Sequence, residues 1–111
     1  MLFIAGEHEV INSHCTGRGL SSYFECLTAP SSIASHASTF HSDGSISFAK
    51  APEYYGSWSQ SSSGKTLKME YFSGDVKSSE FNGHAVDRAC FEGLTIFTDS
   101  TYVSPYRVCL Q

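Results

Sequence analysis

The sequence predicts an α+β fold, an N-terminal β-hairpin and one α-helix packed on a curved antiparallel β-sheet. Three observations carry this expectation. Ile46 and Phe48 alternate with serines, and Leu67, Met69 and Tyr71 alternate again, which is the period of half-buried strands. Ile33, Ala37 and Phe40 fall at i, i+4 and i+7, one apolar stripe on a helix of about three turns. A single helix set between a hairpin and strands taken in sequence order makes the class α+β.

Taken in order, Glu9 to Cys26 reads as the hairpin, with Thr16-Gly17-Arg18-Gly19 as its turn and Ser21 to Cys26 as the returning strand. Thr28 is a suitable N-cap, Pro30 suits the first helical turn, and Asp43-Gly44 stops the helix. Ser45 to Lys50 reads as a strand. Ala51 to Gly64, with Pro52, Gly56 and a serine run, reads as a loop. That loop holds Tyr54, Tyr55 and Trp58, which fit either a lid over the core or an anchor for a partner. Thr66 to Phe72 is a strand, and Ser73-Gly74-Asp75-Val76 leads into a polar segment centred on Asn82-Gly83. The next run carries Val86 and Arg88 on one face and Asp87, Ala89 and Phe91 on the other. Asp87-Arg88 is either a surface ion pair or a buried, partnered guanidinium. Glu92-Gly93 turns the chain, and Leu94 to Thr98 and Tyr106 to Leu110 are the last strands.

The 111 residues suit one domain, 1–111, with a single modest core. Only 16% of residues are charged and 14% are aromatic, a balance that suits a folded secreted chain better than a disordered one. A net charge of −4 argues against a strong sequence-independent hold on phosphate backbones. Four cysteines in so short a chain suggest a disulfide framework. No Cys-x-x-Cys pair occurs, and His8, His14, His36, His41 and His84 lack metal-site spacing, so no metal or cofactor is expected. No stretch approaches a membrane span, and the opening apolar run is too short for a secretion signal.

The runs "SGDV", "GHAVDRACF", "TIFTD" and "YRVC", in that order, resemble the C-terminal half of the small guanyl-preferring fungal ribonucleases. "CLTAPSSIASHASTFHSDG" is similar to that family's cysteine followed by a serine-rich helix, and the likeness covers Tyr23 to Cys109 in outline. Asp75 to Asp87 is about two residues longer than the family's segment. The resemblance implies a cleft at Phe48, Lys50, Arg88, Phe97 and Tyr106. Arg88 matches the family's arginine and Tyr106 its terminal aromatic. Phe48 and Lys50 replace a Tyr-x-His pair, the expected glutamate is displaced to Glu70, and Phe97 stands where the general-acid histidine would be. Phenylalanine cannot carry a proton, so the implied cleft is vestigial and no enzyme activity is expected. His84 could substitute only if its loop brought it within reach.

Tyr23-Phe24-Glu25-Cys26 at the entry to the helix resembles one further group, the ribonuclease-like secreted effectors of powdery mildew fungi. That resemblance implies a non-catalytic protein secreted by the fungus and acting in the host plant cytoplasm. Its partners would be a host target and an intracellular leucine-rich-repeat immune receptor. It also implies a disulfide between Cys26 and Cys109, while Cys90 is left as a buried thiol or the partner of Cys15. The alternative reading is an RNA-binding module using the vestigial cleft, with Trp58 or Tyr55 stacking on bases.

Overall fold

The computed structural model describes residues 3–14, 32–99 and 103–111. Its strands are β1 (Gly6–His14), β2 (Ser32–Phe40), β3 (Ser45–Phe48), β4 (Tyr54–Gln60), β5 (Thr66–Ser73), β6 (Val76–Ala85), β7 (Cys90–Phe97) and β8 (Val103–Leu110). Each pairs antiparallel with the next, and β1 also pairs with β8, so the sheet closes on itself as an eight-stranded barrel. Closure gives every strand a hydrogen-bonded neighbour on both sides. The α+β expectation, and with it the ribonuclease-like scaffold, is therefore corrected. The fold is all-β, with no helix among the described residues.

The misread helix shows why. Ile33, Ala37 and Phe40 share a face in a helix, but in a strand residue parity separates them. Odd-numbered Ile33 lies outside and is 66% exposed, whereas Phe40 points into the barrel and is 1% exposed. Even-numbered His36 and Ser38 follow Phe40 inward and tie to each other by a 2.8 Å hydrogen bond. The supposed loop 51–64 contains β4, whose Gly56 lies against β5. A Cβ there would come within 2.8 Å of the Glu70 carbonyl. The polar segment around Asn82-Gly83 is the middle of β6, facing Gly93 across the ladder. Glu92-Gly93 lies within β7 and is no turn.

The β5–β6 connection is a two-residue turn at Gly74-Asp75, with Ser73 paired to Val76. Gly74 has φ of 60°, the left-handed value a glycine supplies at the first central position of a II′ turn. Asp87-Arg88 sits in the bend between β6 and β7. The Asp87 carboxylate accepts from the backbone N–H groups of Ala89 and Cys90, and Arg88 is exposed. The aspartate serves the turn, and the arginine is not buried.

Cys26–Cys109 is likewise corrected. Cys109 is bonded to Cys90, which stands directly opposite it in the β7–β8 ladder with Cα atoms 4.1 Å apart. Cys90 is thus neither a free thiol nor the partner of Cys15. Cys15, Cys26, the turn at 16–19 and the strand expected at 21–26 lie outside the described residues. Over Val10–His14 both edges of β1 are taken by β2 and β8, so β1 makes its ladders with those strands.

The barrel interior is divided. At its lower end Val10, Phe40, Ile46, Leu67, Met69, Phe81, Phe91, Val108 and Leu110 form a buried apolar core. Ile4 joins this cluster and is held there by its N–H donating to Gln60 Oε1 at 3.2 Å and by His8 Nε2 donating to its carbonyl at 3.0 Å. Burying each such side chain stabilises by roughly 1.5–3 kcal/mol. That end is packed solid. The upper end is not.

Candidate functional site

The upper half of the barrel is lined by side chains of the same inward parity as the core but different chemistry. Asn12, His36, Tyr71, Ser79, Thr95, Phe97 and Tyr106 surround a cavity of about 200 Å³ whose floor is Met69, Phe81 and Val108. Eight-stranded barrels have interiors that side chains can fill or that hold one small ligand. In this chain side chains fill the lower end and leave a cavity at the upper.

The way in is set by a short strand. β3 pairs with β2 only from Ser38 to Phe40, followed by the Ala49 N–H donating to the Ala37 carbonyl. From Ser32 to His36 the β3-facing edge of β2 carries no ladder among the described residues, which leaves a gap between the described strands there. A cleft of about 650 Å³ occupies the gap, bounded by Glu9, Ser35 and Ala37 on one side and Phe48, Lys50, Tyr54 and Tyr55 on the other. His36 and Tyr71 border both the cleft and the cavity, so the two spaces meet at these residues.

Aromatic rings make most of the wall. Phe48 meets His36 edge-on at 5.5 Å and lies tilted by 30° against Tyr71 at 5.8 Å. Across the cavity Phe97 lies 6.4 Å from Tyr106, which stacks on His14 at 5.0 Å. Such rings give a flat apolar molecule large contact area at low entropic cost.

The polar groups of the cavity are uncharged. Burial pushes the His36 imidazole below its ordinary pKa, with Glu9 opposing in part, so the ring is neutral at pH 7. Its Nε2 is 3.2 Å from Asn12 Nδ2, and with the amide donating, the Nδ1–H is left to donate to Ser38 Oγ at 2.8 Å. Both ring nitrogens are committed within the wall, so His36 shapes the cavity and is poorly placed to act as a general base. Burial, reinforced by nearby Tyr106, raises the Tyr71 phenol well above its ordinary pKa, so it stays a hydrogen-bond donor.

Four of the five residues expected to form a vestigial cleft lie at this upper end: Phe48 and Lys50 on the cleft, Phe97 and Tyr106 on the cavity. Arg88 lies at the opposite end, beyond Cys90 and the lower rim. The length of β7, about 3.3 Å per residue, separates it from Phe97. Tyr54 and Tyr55 are each 45% exposed at the cleft rim, and Tyr55 stacks on Phe72 at 5.0 Å. Trp58 differs from them. It packs on the lower core, and its Nε1 donates to the His41 carbonyl at 2.9 Å.

Sequence reasoning missed Asn12, His36 and Tyr71 as a set. The signal for Tyr71 was present, since it continues the inward parity of Leu67 and Met69. Asn12 and His36 become legible only once β2 is read as a strand paired to β1.

The geometry defines a class: a closed antiparallel eight-stranded barrel with a solid lower core and a small aromatic cavity open through its side. Compared with known protein families, characterised proteins and solved structures, the chain matches none.

Proposed function

We propose that the protein is a small-molecule-binding β-barrel that takes one flat, mainly apolar ligand through the side opening above β3. The observation that carries this reading is the change of lining along one barrel. Nine strand side chains fill the lower end, while the inward positions above them are given to rings and uncharged polar groups around open space. Cavities for small ligands are concave, largely apolar and furnished with few polar groups, as this one is. The neutral fluorophore N-phenyl-1-naphthylamine tests it. The native protein should bind the probe saturably, and Ser79→Phe, which fills the cavity, should abolish uptake while keeping the native melting transition. Equal uptake by a folded Ser79→Phe protein would contradict the reading.

A second reading has its own observation in favour. Tyr54 and Tyr55 present two half-exposed rings beside the opening, the residue type enriched at protein-binding hot spots. A non-catalytic effector role, with a leucine-rich-repeat immune receptor among its partners in the host cytoplasm, would use this rim. The ribonuclease-like scaffold that first suggested such a role is not the one the chain has. Co-expression with candidate receptors, scored for cell death, tests it. Tyr55→Ser should lower the response, and an undiminished response would remove this face from consideration. RNA binding draws less support, since Arg88 stands apart from Lys50 and Tyr106.

A further inference from the structure

We propose that the ligand of the upper cavity is an uncharged ring compound bearing a carbonyl-type oxygen, and that Tyr71 Oη donates the hydrogen bond that seats it. This rests on the small-molecule reading above and specifies the chemistry of the same site. Three observations lead to it.

The first is the partner Tyr71 has now. Its hydroxyl donates to Met69 Sδ at 3.4 Å, its only side-chain hydrogen bond among the described residues. A thioether sulfur is a weak acceptor. A phenol taken out of water normally finds an oxygen or nitrogen, because leaving such a donor poorly matched costs part of its desolvation. Tyr71 therefore holds a donor on a poor acceptor at the junction of cleft and cavity, where an entering oxygen would be a far better one.

The second is charge. Among the described residues no Asp, Glu, Lys or Arg lines the inner cavity, and the charged groups they place at the opening, Glu9 and Lys50, are of opposite sign. A carboxylate or ammonium entering between Phe97, Phe48 and Tyr71 would lose its water without gaining a counter-charge, a large penalty. An uncharged oxygen loses less and recovers it from the phenol.

The third is size. A cavity of 150 Å³ lined by apolar side chains accommodates a benzene ring. The inner space of about 200 Å³ thus suits one six-membered ring with a short substituent. A longer ligand would extend past Phe48 into the cleft, beside Tyr54.

The test is an isosteric pair, acetophenone and α-methylstyrene, which differ by C=O against C=CH2. Affinities are measured by ligand-observed NMR titration on the native protein and on Tyr71→Phe. Both rings should bind the native protein, with acetophenone about fivefold tighter, the worth of one ordinary hydrogen bond. Tyr71→Phe should erase that preference and leave α-methylstyrene binding as in the native protein, which also shows that the variant is folded. Equal affinities in the native protein, or a preference that survives in Tyr71→Phe, would overturn the assignment of Tyr71. Failure of both rings to bind would instead overturn the small-molecule reading itself, and this one with it. Benzoate should bind more weakly than acetophenone, and the reverse order would contradict the uncharged cavity.

Discussion

Gly93 faces Gly83 across the β6–β7 ladder, and the two backbones approach so closely that neither position has room for a side chain. A Cβ on Gly93 would lie 1.9 Å from the Asn82 carbonyl oxygen and 2.4 Å from the Gly83 Cα. On Gly83 it would meet the Phe81 ring at 2.4 Å. The ring covers the bare backbone from inside the barrel, so the missing side chain leaves no void.

Gly93→Ala should therefore destabilise strongly. The obstacle is backbone, which cannot rotate away, so the two strands must separate. Chemical denaturation should show a loss of several kcal/mol, about the range of severe core changes. Gly74→Ala would test a different cause, since a Cβ there meets nothing within 4 Å but φ is 60°. Its cost should be about 1–2 kcal/mol, confined to backbone strain.

The Cys90–Cys109 bridge yields a second prediction. It closes a loop of sequence separation 19 between adjacent strands. Chain-entropy reasoning gives about 3 kcal/mol for a loop of this order. Replacing both cysteines by alanine should lower Tm by roughly 10 °C or more. Non-reducing peptide mapping should recover a Cys90–Cys109 linkage.

Beside the bridge, Glu92 is 4% exposed on the outer face of β7 and meets the Arg107 guanidinium of β8. Arg107 Nε donates to Glu92 Oε1 at 2.9 Å, and Nη2 donates to the same oxygen. Arg107 is itself about one-third exposed, but removing it leaves the buried Glu92 carboxylate without its partner. Arg107→Met should cost about 3 kcal/mol in urea unfolding, whereas Arg107→Met with Glu92→Leu should recover much of the loss. A negligible cost for the single change would mean that the carboxylate is hydrated.

His36 makes stability depend on pH. Its folded pKa lies below its unfolded value, because burial disfavours the charged ring. Between the two values the unfolded chain binds more protons, so stability rises with pH through that window and is lost as pH falls from the unfolded value near 6.5. His36→Gln should flatten this part of the profile relative to the native protein. Thermal denaturation between pH 7.5 and 5 measures the difference.

What was legible in the sequence follows residue parity. β3 and β5 stood out because Ile46, Phe48, Leu67, Met69 and Tyr71 alternate with polar outer residues. β2 did not, because spacings of four and three apolar positions suit a helix, and its serines and alanines favour neither form. β4 and β6 were hidden for another reason. Gly56 and Gly83 read as turn formers, yet each marks a close approach of neighbouring strands. Of the expected cleft residues, Phe97 and Tyr106 line one barrel cavity and Phe48 lies on the adjoining cleft. Arg88 does not join them, because Asp87 spends its carboxylate on the turn that carries it away. Cys90–Cys109 depends on a β7–β8 register that no spacing of cysteines encodes.

The upper half of the barrel should bind a small ring compound, and amide chemical-shift mapping with acetophenone is the decisive measurement. Saturable shifts should concentrate at Asn12, His36, Phe48, Tyr71, Ser79, Thr95, Phe97 and Tyr106. Arg88, His84 and the lower core around Phe91 should stay unmoved. Shifts spread over the outer faces of the strands, or none at concentrations where small rings enter protein cavities, would contradict it.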